Sequence, residues 1–175
     1  MEVLIINGAA SSGKDQFVKF FKKNYPYKCC NWSTIDRVKK IAKKHLGWDG
    51  EKTEESRLFL SEIKRTWSDF NNGPFLWMVK KIEKHYRKLS ESEKNTVVYF
   101  IHCRESDEIK KFVSYFGDKC QSILIQRKGI SIPNNKADKN VTHFSYDYTI
   151  ENNGDLIELE NKAKEFVLKF KSIFL

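Results

Sequence analysis

Two glycines and a lysine near the start of the chain are spaced in a way that suits phosphate binding. Gly8, Gly13 and Lys14 fit the pattern Gly-x-x-x-x-Gly-Lys, whose flexible backbone wraps round an oxyanion and turns several N–H groups toward it. The positive end of the following helix adds to the attraction, and the lysine neutralises the outer phosphates. The phosphate-contacting residues predicted from this pattern are Gly8, Ala9, Ala10, Ser11, Ser12, Gly13, Lys14, Asp15 and Gln16.

The residue after the lysine departs from the usual pattern. That position normally carries Ser or Thr, whose hydroxyl contacts Mg²⁺. Here it is Asp15. A carboxylate at this point changes the metal chemistry that the loop can support, because Mg²⁺ prefers oxygen ligands of high charge.

The elements around the loop are those needed to hold it in place. Val3 to Ile6 form a short β-branched run, typical of a parallel strand buried on both faces. After Lys14 the apolar period changes to that of a helix. Further apolar runs predict strands at 27–32, 96–101, 122–126 and 146–150.

Capping and turn residues predict the helices between these strands. Ser33 and Asp36 form a capping box that opens a lysine-faced helix, and Gly47 closes it. Thr53 begins the next helix and Pro74 another that ends near residue 89, while Ser106 caps a helix that Gly117 ends. A last helix starts near Asp155. We expect one face of the helix after Thr53 to carry Phe59, Ile63, Trp67 and Phe70.

Alternating strands and helices indicate an α/β fold whose parallel sheet is covered on both faces and binds ligands at the carboxyl ends of its strands. Polar residues follow each predicted strand there, among them His102, Arg104, Arg127 and Lys128. The segment at about 127–142 is rich in Asn, Lys and Gly and is too long for a simple connection. We therefore predict that it is a lid.

Composition is consistent with one domain over residues 1–175. The hydrophobic fraction of 40% and aromatic fraction of 14% support a packed core. The apolar start is interrupted at Lys14 too early for a signal peptide or membrane span, so we expect a cytoplasmic protein, with its four cysteines reduced. A net charge of +9 indicates an anionic partner. The lysines of the second helix favour a solvated face over a nucleic-acid surface.

The chain resembles the P-loop nucleoside monophosphate kinase group, and more closely its members with Asp after the loop lysine. These include phage-type deoxynucleoside monophosphate kinases and animal-type phosphomevalonate kinases. In residues the resemblance rests on 8–15, on 104–108, and on 146–156, which is similar to the "Asp-Tyr-x-Ile-x-Asn-x-Gly-x-Leu" ending of deoxynucleotide and dephospho-CoA kinases. It implies a P-loop NTPase three-layer sandwich with a central five-stranded parallel sheet and a lid loop.

The resemblance also implies transfer of the γ-phosphoryl group of ATP to a small phosphorylated acceptor, with Mg²⁺. Lys14 would then hold the ATP phosphates, Arg127 with support from Lys128 would clamp the transferring group, and Arg104 would face the acceptor phosphate. The acceptor-binding region would be a helical segment at about 33–90. Arg37 and Arg57 lie in it, and each is as consistent with a solvated helix surface as with the acceptor site.

One position departs from the family. Many relatives have an Asp two positions before the arginine that follows the third strand, where it helps to hold Mg²⁺ through water. This chain has His102 there, and a neutral imidazole is a poor ligand for Mg²⁺. We therefore predict that Asp15 is the metal-binding carboxylate and that His102 has no ligand.

Several alternatives stay open at this stage. A dephospho-CoA kinase would need a carboxylate after the second strand to accept a hydroxyl proton, and Asp36 is the acidic residue there. A phosphomevalonate kinase and a non-catalytic nucleotide-binding protein are further readings. The sequence leaves the oligomeric state and the acceptor open, because Trp32, Trp48, Trp67 and Trp77 could each stack on a base or fill a core.

Overall fold

Five parallel strands form the central sheet of the computed structural model, which describes residues 1–51, 53–130 and 144–174, with side chains up to residue 171. The strands are β1 (Glu2–Asn7), β2 (Cys29–Ser33), β3 (Val98–His102), β4 (Cys120–Gln126) and β5 (Tyr148–Glu151), in the spatial order β2-β3-β1-β4-β5. In the register of the ladders, Ile6 lies beside His102 and Ile123. The predicted α/β class and five-stranded parallel sheet are confirmed.

Helices flank the sheet. The α-helices of the described residues are α1 (Lys14–Asn24), α2 (Asp36–His45), α3 (Glu54–Asn71), α4 (Gly73–Tyr86), α5 (Glu91–Thr96), α6 (Ser106–Phe116) and α7 (Leu156–Phe174). A 3₁₀ turn, Gly117–Lys119, leads from α6 into β4. Within these residues no helix combines the length and apolar character needed to cross a membrane.

The chain divides into two compact units. The first, here called the sheet unit, comprises Met1–Asn31 and Leu89–Leu175, and the second, here called the helical unit, is Trp32–Lys88. The helical unit nearly coincides with the segment 33–90 that the family resemblance marks as acceptor-binding. The predicted lid at 127–142 falls mostly outside the described residues, which include only its start at 127–130.

Aromatic and aliphatic side chains form the core of the sheet unit. On one face, Leu4 and Ile6 of β1 pack with Phe17 and Phe21 of α1 and with residues of α7 such as Phe166. The residues that alternate with them along the strands are also fully buried: Val3, Ile5, Tyr99 and Ile101. A strand buried on both faces has no polar face, which explains the uninterrupted apolar runs of β1 and β3.

The helical unit has a smaller core of its own. Val38, Ala42 and Leu60 are buried, with Trp48 and Trp67 among the side chains packed against them. The predicted apolar face of α3 is partly wrong, because Phe59 is exposed and Phe70 is 82% exposed. The stripe that packs inward is Leu60, Ile63 and Trp67, whose i, i+3, i+7 spacing is also helical, so periodicity alone did not separate the two faces.

Two local predictions differ from the structure at helix starts. Helix α2 begins at Asp36 with Ile35, and not Ser33, at the N-cap position. The Ser33 N–H donates to Asp36 Oδ2 at 2.9 Å, as the predicted capping box requires of its acidic residue. Helix α5, whose Ser90 and Glu93 form a complete capping box, was not predicted.

Candidate active site

The loop between β1 and α1 has the backbone shape expected of a phosphate-binding loop. Gly8 has φ +144°, Ser11 +61° and Gly13 +100°, all in the region that side chains disfavour. A Cβ on Gly8 would collide with the Ile125 carbonyl oxygen of β4, so glycine is needed for close approach as well as for conformation. The loop thus packs tightly against β4 before the N-terminus of α1, where helix N–H groups favour an anion.

Lys14 lies where the sequence pattern requires it. Its Nζ donates to the carbonyl oxygens of Gly8 and Ala9, each at 2.6 Å, and so folds over the loop. An ammonium held by carbonyl dipoles keeps its full charge, and phosphate oxygens bind an ammonium more strongly than neutral carbonyls do. The lysine is therefore poised to interact with an anion bound in the same loop.

A buried serine within the loop also fits a phosphate ligand. Ser12 is 1% exposed, and among the described residues its hydroxyl Oγ has no hydrogen-bond partner. A buried hydroxyl without a partner costs about 1–3 kcal/mol. A phosphate oxygen in the loop is one acceptor that would remove this cost.

Asn152, which directly follows β5, supports the loop. Its side chain is buried, and Nδ2 donates to the Ser12 carbonyl at 2.8 Å, while its backbone N–H donates to the Gln126 carbonyl at 2.7 Å. A Cβ on Gly13 would collide with the same amide group. The loop and the turn after β5 therefore fit only because position 13 is glycine and position 152 carries a short amide.

Asn7 joins the start of the loop to two other segments. Its Oδ1 accepts from the Gly8 N–H at 2.8 Å, and its Nδ2 donates to the Arg104 carbonyl at 3.2 Å and to the Tyr146 hydroxyl at 2.7 Å. Burial raises the pKa of Tyr146 to about 12, so this hydroxyl stays neutral and available as an acceptor at ordinary pH. One buried amide thus ties the backbone of Arg104 to the phosphate loop.

Asp15 and His102 are neighbours in space. The Asp15 carboxylate, in the first turn of α1, is 94% exposed, and its Oδ1 lies 3.6 Å from His102 Nε2. That same nitrogen lies 2.8 Å from Asn31 Oδ1. Because an amide oxygen only accepts, Nε2 carries the hydrogen in this contact and cannot also bind a cation. An exposed carboxylate beside a phosphate loop suits Mg²⁺, which uses one or two carboxylates together with substrate phosphates.

The other predicted site residues lie in three places: the start of α1, the segment after β4, and the helical unit. Gln16 is half-buried in the first turn of α1, and Arg127 and Lys128 are exposed directly after β4. The Lys128 N–H donates to Asn153 Oδ1 at 2.8 Å, so the start of the predicted lid is held to the turn after β5. Arg37 on α2 and Arg57 on α3 are exposed residues of the helical unit.

The cysteines behave as small buried or half-buried groups. All four are free thiols, and burial raises the pKa of Cys29 and of Cys120 to about 12, which keeps both protonated. The Cys103 thiol donates to Glu108 Oε2 at 3.1 Å. Glu108 is buried in the first turn of α6, and this contact gives its carboxylate a hydrogen-bond partner.

Sequence reasoning missed Asn7, Asn152 and Tyr146 as residues that shape the site. Asn7 carried a usable signal, since it is a polar residue at the end of an otherwise apolar buried strand. Asn152 and Tyr146 lay in the motif at 146–156 that supported the family resemblance, but their partners are 140 and 139 residues away along the chain. A single sequence contains no information on such pairings.

No protein-family model and no curated protein sequence matches this chain. Among solved structures, it is similar to TT1252 from Thermus thermophilus, with 12% identity and a TM-score of 0.50 over 96% of this chain and 97% of that one. A shikimate kinase from Aquifex aeolicus has 10% identity and a TM-score of 0.49, covering 99% of each chain. A gluconokinase from Sinorhizobium meliloti has 11% identity and a TM-score of 0.49, covering 97% of this chain and 93% of that one. At these identities the likeness to TT1252 is one of fold alone.

Proposed function

We propose that this protein is an ATP-dependent phosphotransferase that moves the γ-phosphoryl group to a small phosphorylated acceptor, namely a nucleoside or deoxynucleoside monophosphate. The observation that carries the proposal is the loop at 8–15, which combines positive-φ glycines, the Lys14 ammonium folded over the loop and the N-terminus of α1. Binding of the donor phosphates is the chemistry that this arrangement favours.

In the reaction, an oxygen of the acceptor phosphate forms a bond to the γ-phosphorus, and the bond from that phosphorus to the bridging oxygen breaks. ADP leaves with the bond's electron pair. The attacking oxygen is already ionised near neutral pH, so no general base is required and catalysis rests on positioning and charge.

Each predicted residue has a part in this proposal. Lys14 holds the outer phosphates of ATP, Arg104 binds the acceptor phosphate, and Arg127 with Lys128 neutralises the transferring group. Arg104 is supported by its backbone link to the loop through Asn7, which fixes where its segment leaves β3. Arg37 and Arg57 are second-rank candidates for the acceptor site, since both are exposed in the helical unit.

Asp15 is the proposed magnesium-binding residue. Its exposed carboxylate supplies a hard oxygen donor directly after Lys14, and bound Mg²⁺ would neutralise charge on the donor phosphates. His102 would not bind the metal through Nε2, since that nitrogen already pairs with Asn31.

The dephospho-CoA kinase alternative ranks lower because of Asp36. One oxygen of this carboxylate accepts the Ser33 N–H at the start of α2, so the group needed as a general base is engaged in local structure. A nucleotide sensor is also less well supported, because binding alone requires no second set of arginines.

The experiment that tests the proposal is an acceptor panel. The protein is incubated with ATP and Mg²⁺ and with each of the ribo- and deoxynucleoside monophosphates, dephospho-CoA and phosphomevalonate, and product is separated by anion-exchange chromatography. We expect at least one nucleoside diphosphate to form, and Lys14→Met to abolish it. Consumption of dephospho-CoA or phosphomevalonate with no nucleotide consumed would overturn the choice of acceptor.

A further inference from the structure

The four tryptophans, which the sequence left equivalent, have two different environments in the helical unit. Trp48 and Trp67 pack against its small core. The Trp48 indole also donates to the Glu51 carbonyl and to Ser56 Oγ, both at 3.2 Å. Trp67 lies so close to Gly73 that any Cβ there would collide with its ring. These two side chains have a structural role.

Trp32 and Trp77 instead surround a lysine. Lys81 Nζ lies 4.1 Å from the ring centroid of Trp32 and 5.0 Å from that of Trp77, and all three side chains are half-buried. His85 meets the Trp32 ring edge to face, with centroids 5.5 Å apart. Trp77, Lys81 and His85 are four residues apart, so they occupy one face of α4, while Trp32 is the penultimate residue of β2.

This arrangement combines the two features that a nucleotide requires. Indole faces stack on any base, because every base has a π-face. Lys81 Nζ lies over the Trp32 ring, so a base that stacks on this face must displace the ammonium from it. An anionic phosphate attracts the ammonium more strongly than an indole does. Lys81 can therefore leave the indole and pair with the phosphate when the base stacks on the indole.

We propose that Trp32, Trp77 and Lys81 form a binding site for a nucleotide, with the base stacked on an indole and Lys81 paired with the phosphate. This inference rests on the proposed function. It adds to that function a site that recognises the aromatic base of the acceptor. It also distinguishes nucleotides from acceptors such as phosphomevalonate, which have no ring to stack.

Binding without ATP or metal tests this site independently of catalysis. The four indole N–H resonances of ¹⁵N-labelled protein are assigned with single Trp→Phe variants and followed as each nucleoside monophosphate is added. We expect at least one of these nucleotides to shift the Trp32 and Trp77 signals, with Trp48 and Trp67 unmoved. Ribose 5-phosphate, which lacks a base, should move the Trp32 and Trp77 signals much less than the nucleotide does.

Variants then distinguish binding at Trp32, Trp77 and Lys81 from nonspecific attraction of the nucleotide to the positive charge of α4. We expect Trp32→Leu to weaken nucleotide binding by roughly 5- to 150-fold, the range that loss of one stacked base corresponds to. Trp32→Phe should restore most of it, because a phenyl ring still stacks. Lys81→Met should weaken binding, whereas Lys80→Met, which changes an exposed neighbour on the same helix, should not.

The outcomes distinguish the two proposals. If no nucleoside monophosphate moves the Trp32 and Trp77 signals, or if ribose 5-phosphate moves them equally, the base site is wrong even where the protein phosphorylates a nucleotide. If the signals respond as expected but no phosphoryl group is transferred, the proposed catalytic function is wrong and the binding site stands.

Discussion

The adjacent residues Asn152 and Asn153 allow a matched test of how the phosphate loop is held. Asn152 is 5% exposed and donates to the Ser12 carbonyl inside the loop, whereas Asn153 is exposed and accepts from the Lys128 N–H. Asn152→Ala leaves a buried carbonyl without its partner, which costs about 1–3 kcal/mol. Asn153→Ala leaves groups that water can reach, and we expect its cost to stay below about 1 kcal/mol.

Loss of the hydrogen bond from Asn152 to the Ser12 carbonyl should lower both the free energy of unfolding and the affinity for ATP. Urea unfolding should show the free energy of unfolding of Asn152→Ala lowered by about 1–3 kcal/mol relative to the parent protein. ATP must then supply the free energy that orders the loop, so its Kd measured by calorimetry should rise by roughly 5- to 150-fold. Equal effects of the two alanine variants, or unchanged ATP affinity in Asn152→Ala, would refute the idea that Asn152 orders the loop.

A double-mutant cycle with Gly13 makes the same test sharper. Gly13→Ala introduces a methyl group that collides with the Asn152 amide, and it also places a side chain at φ +100°. Only the collision depends on Asn152, while the backbone strain of about 1–2 kcal/mol remains in any background. We expect Gly13→Ala to destabilise the Asn152→Ala protein less than the parent, with a coupling of at least about 0.5 kcal/mol. Strict additivity would contradict the described packing.

Three further predictions concern individual side chains. In steady-state assays across Mg²⁺ concentrations, Asp15→Asn should reduce Mg²⁺-dependent phosphotransfer by roughly 100-fold or more. His102→Asn should reduce it much less in the same assays. Equal losses of activity in the two variants would count against Asp15 as the metal ligand. Lys14→Met should raise the Kd for ATP at least roughly 10-fold by calorimetry, since a lost charge-assisted contact to phosphate costs on the order of 1.5–3 kcal/mol; unchanged affinity would exclude its phosphate role. Hydrogen bonds from the Ser90 backbone and from Lys28 lower the pKa of Glu93 to about 2 from its ordinary value of 4.5. The ionised Glu93 carboxylate therefore stabilises the fold fully above pH 4.5, and this stabilisation is lost as the pH falls toward 2. Glu93→Gln should destabilise the protein at pH 7 and make little difference near pH 2, and a difference in stability that does not change with pH would contradict the prediction.

The parts of the fold that the sequence predicted well are those whose signal is local. Strand β1, Glu2–Asn7, contains the predicted run Val3 to Ile6, because a continuous apolar run followed by Gly8 leaves few alternatives. The helix starts predicted at Thr53 and Pro74 were also correct to within one residue, since capping and proline restrict the backbone locally.

The parts that were missed depend on packing between distant segments. The inward stripe of α3 is decided by Val38 and Ala42 of α2, so its own periodicity could not choose Leu60 over Phe59. The short helix α5 carries a clear capping box at Ser90 and Glu93, but it has no apolar face of its own and so gave no periodic signal.

The residues of the candidate site likewise fall into those with a local sequence signal and those positioned by contacts between distant segments. The loop glycines and Lys14 were found because the motif is contiguous, and Asp15 stood out as a departure from it. The proximity of Asp15 and His102, 3.6 Å between side-chain atoms, follows from the pairing of β1 with β3 and required a correct sheet order. The two supporting asparagines, Asn7 and Asn152, needed contacts across most of the chain length.

A ³¹P NMR time course of the protein with ATP, Mg²⁺ and the nucleoside monophosphate that the panel selects would observe the proposed phosphoryl transfer itself. It follows the phosphorus that leaves the γ position and distinguishes transfer to the acceptor from hydrolysis. We expect the γ signal of ATP to be replaced by the terminal phosphorus signal of a nucleoside diphosphate, with ADP in equal amount and little inorganic phosphate. Inorganic phosphate as the main product, or an unchanged ATP spectrum with every monophosphate in the panel, would contradict the proposed transfer.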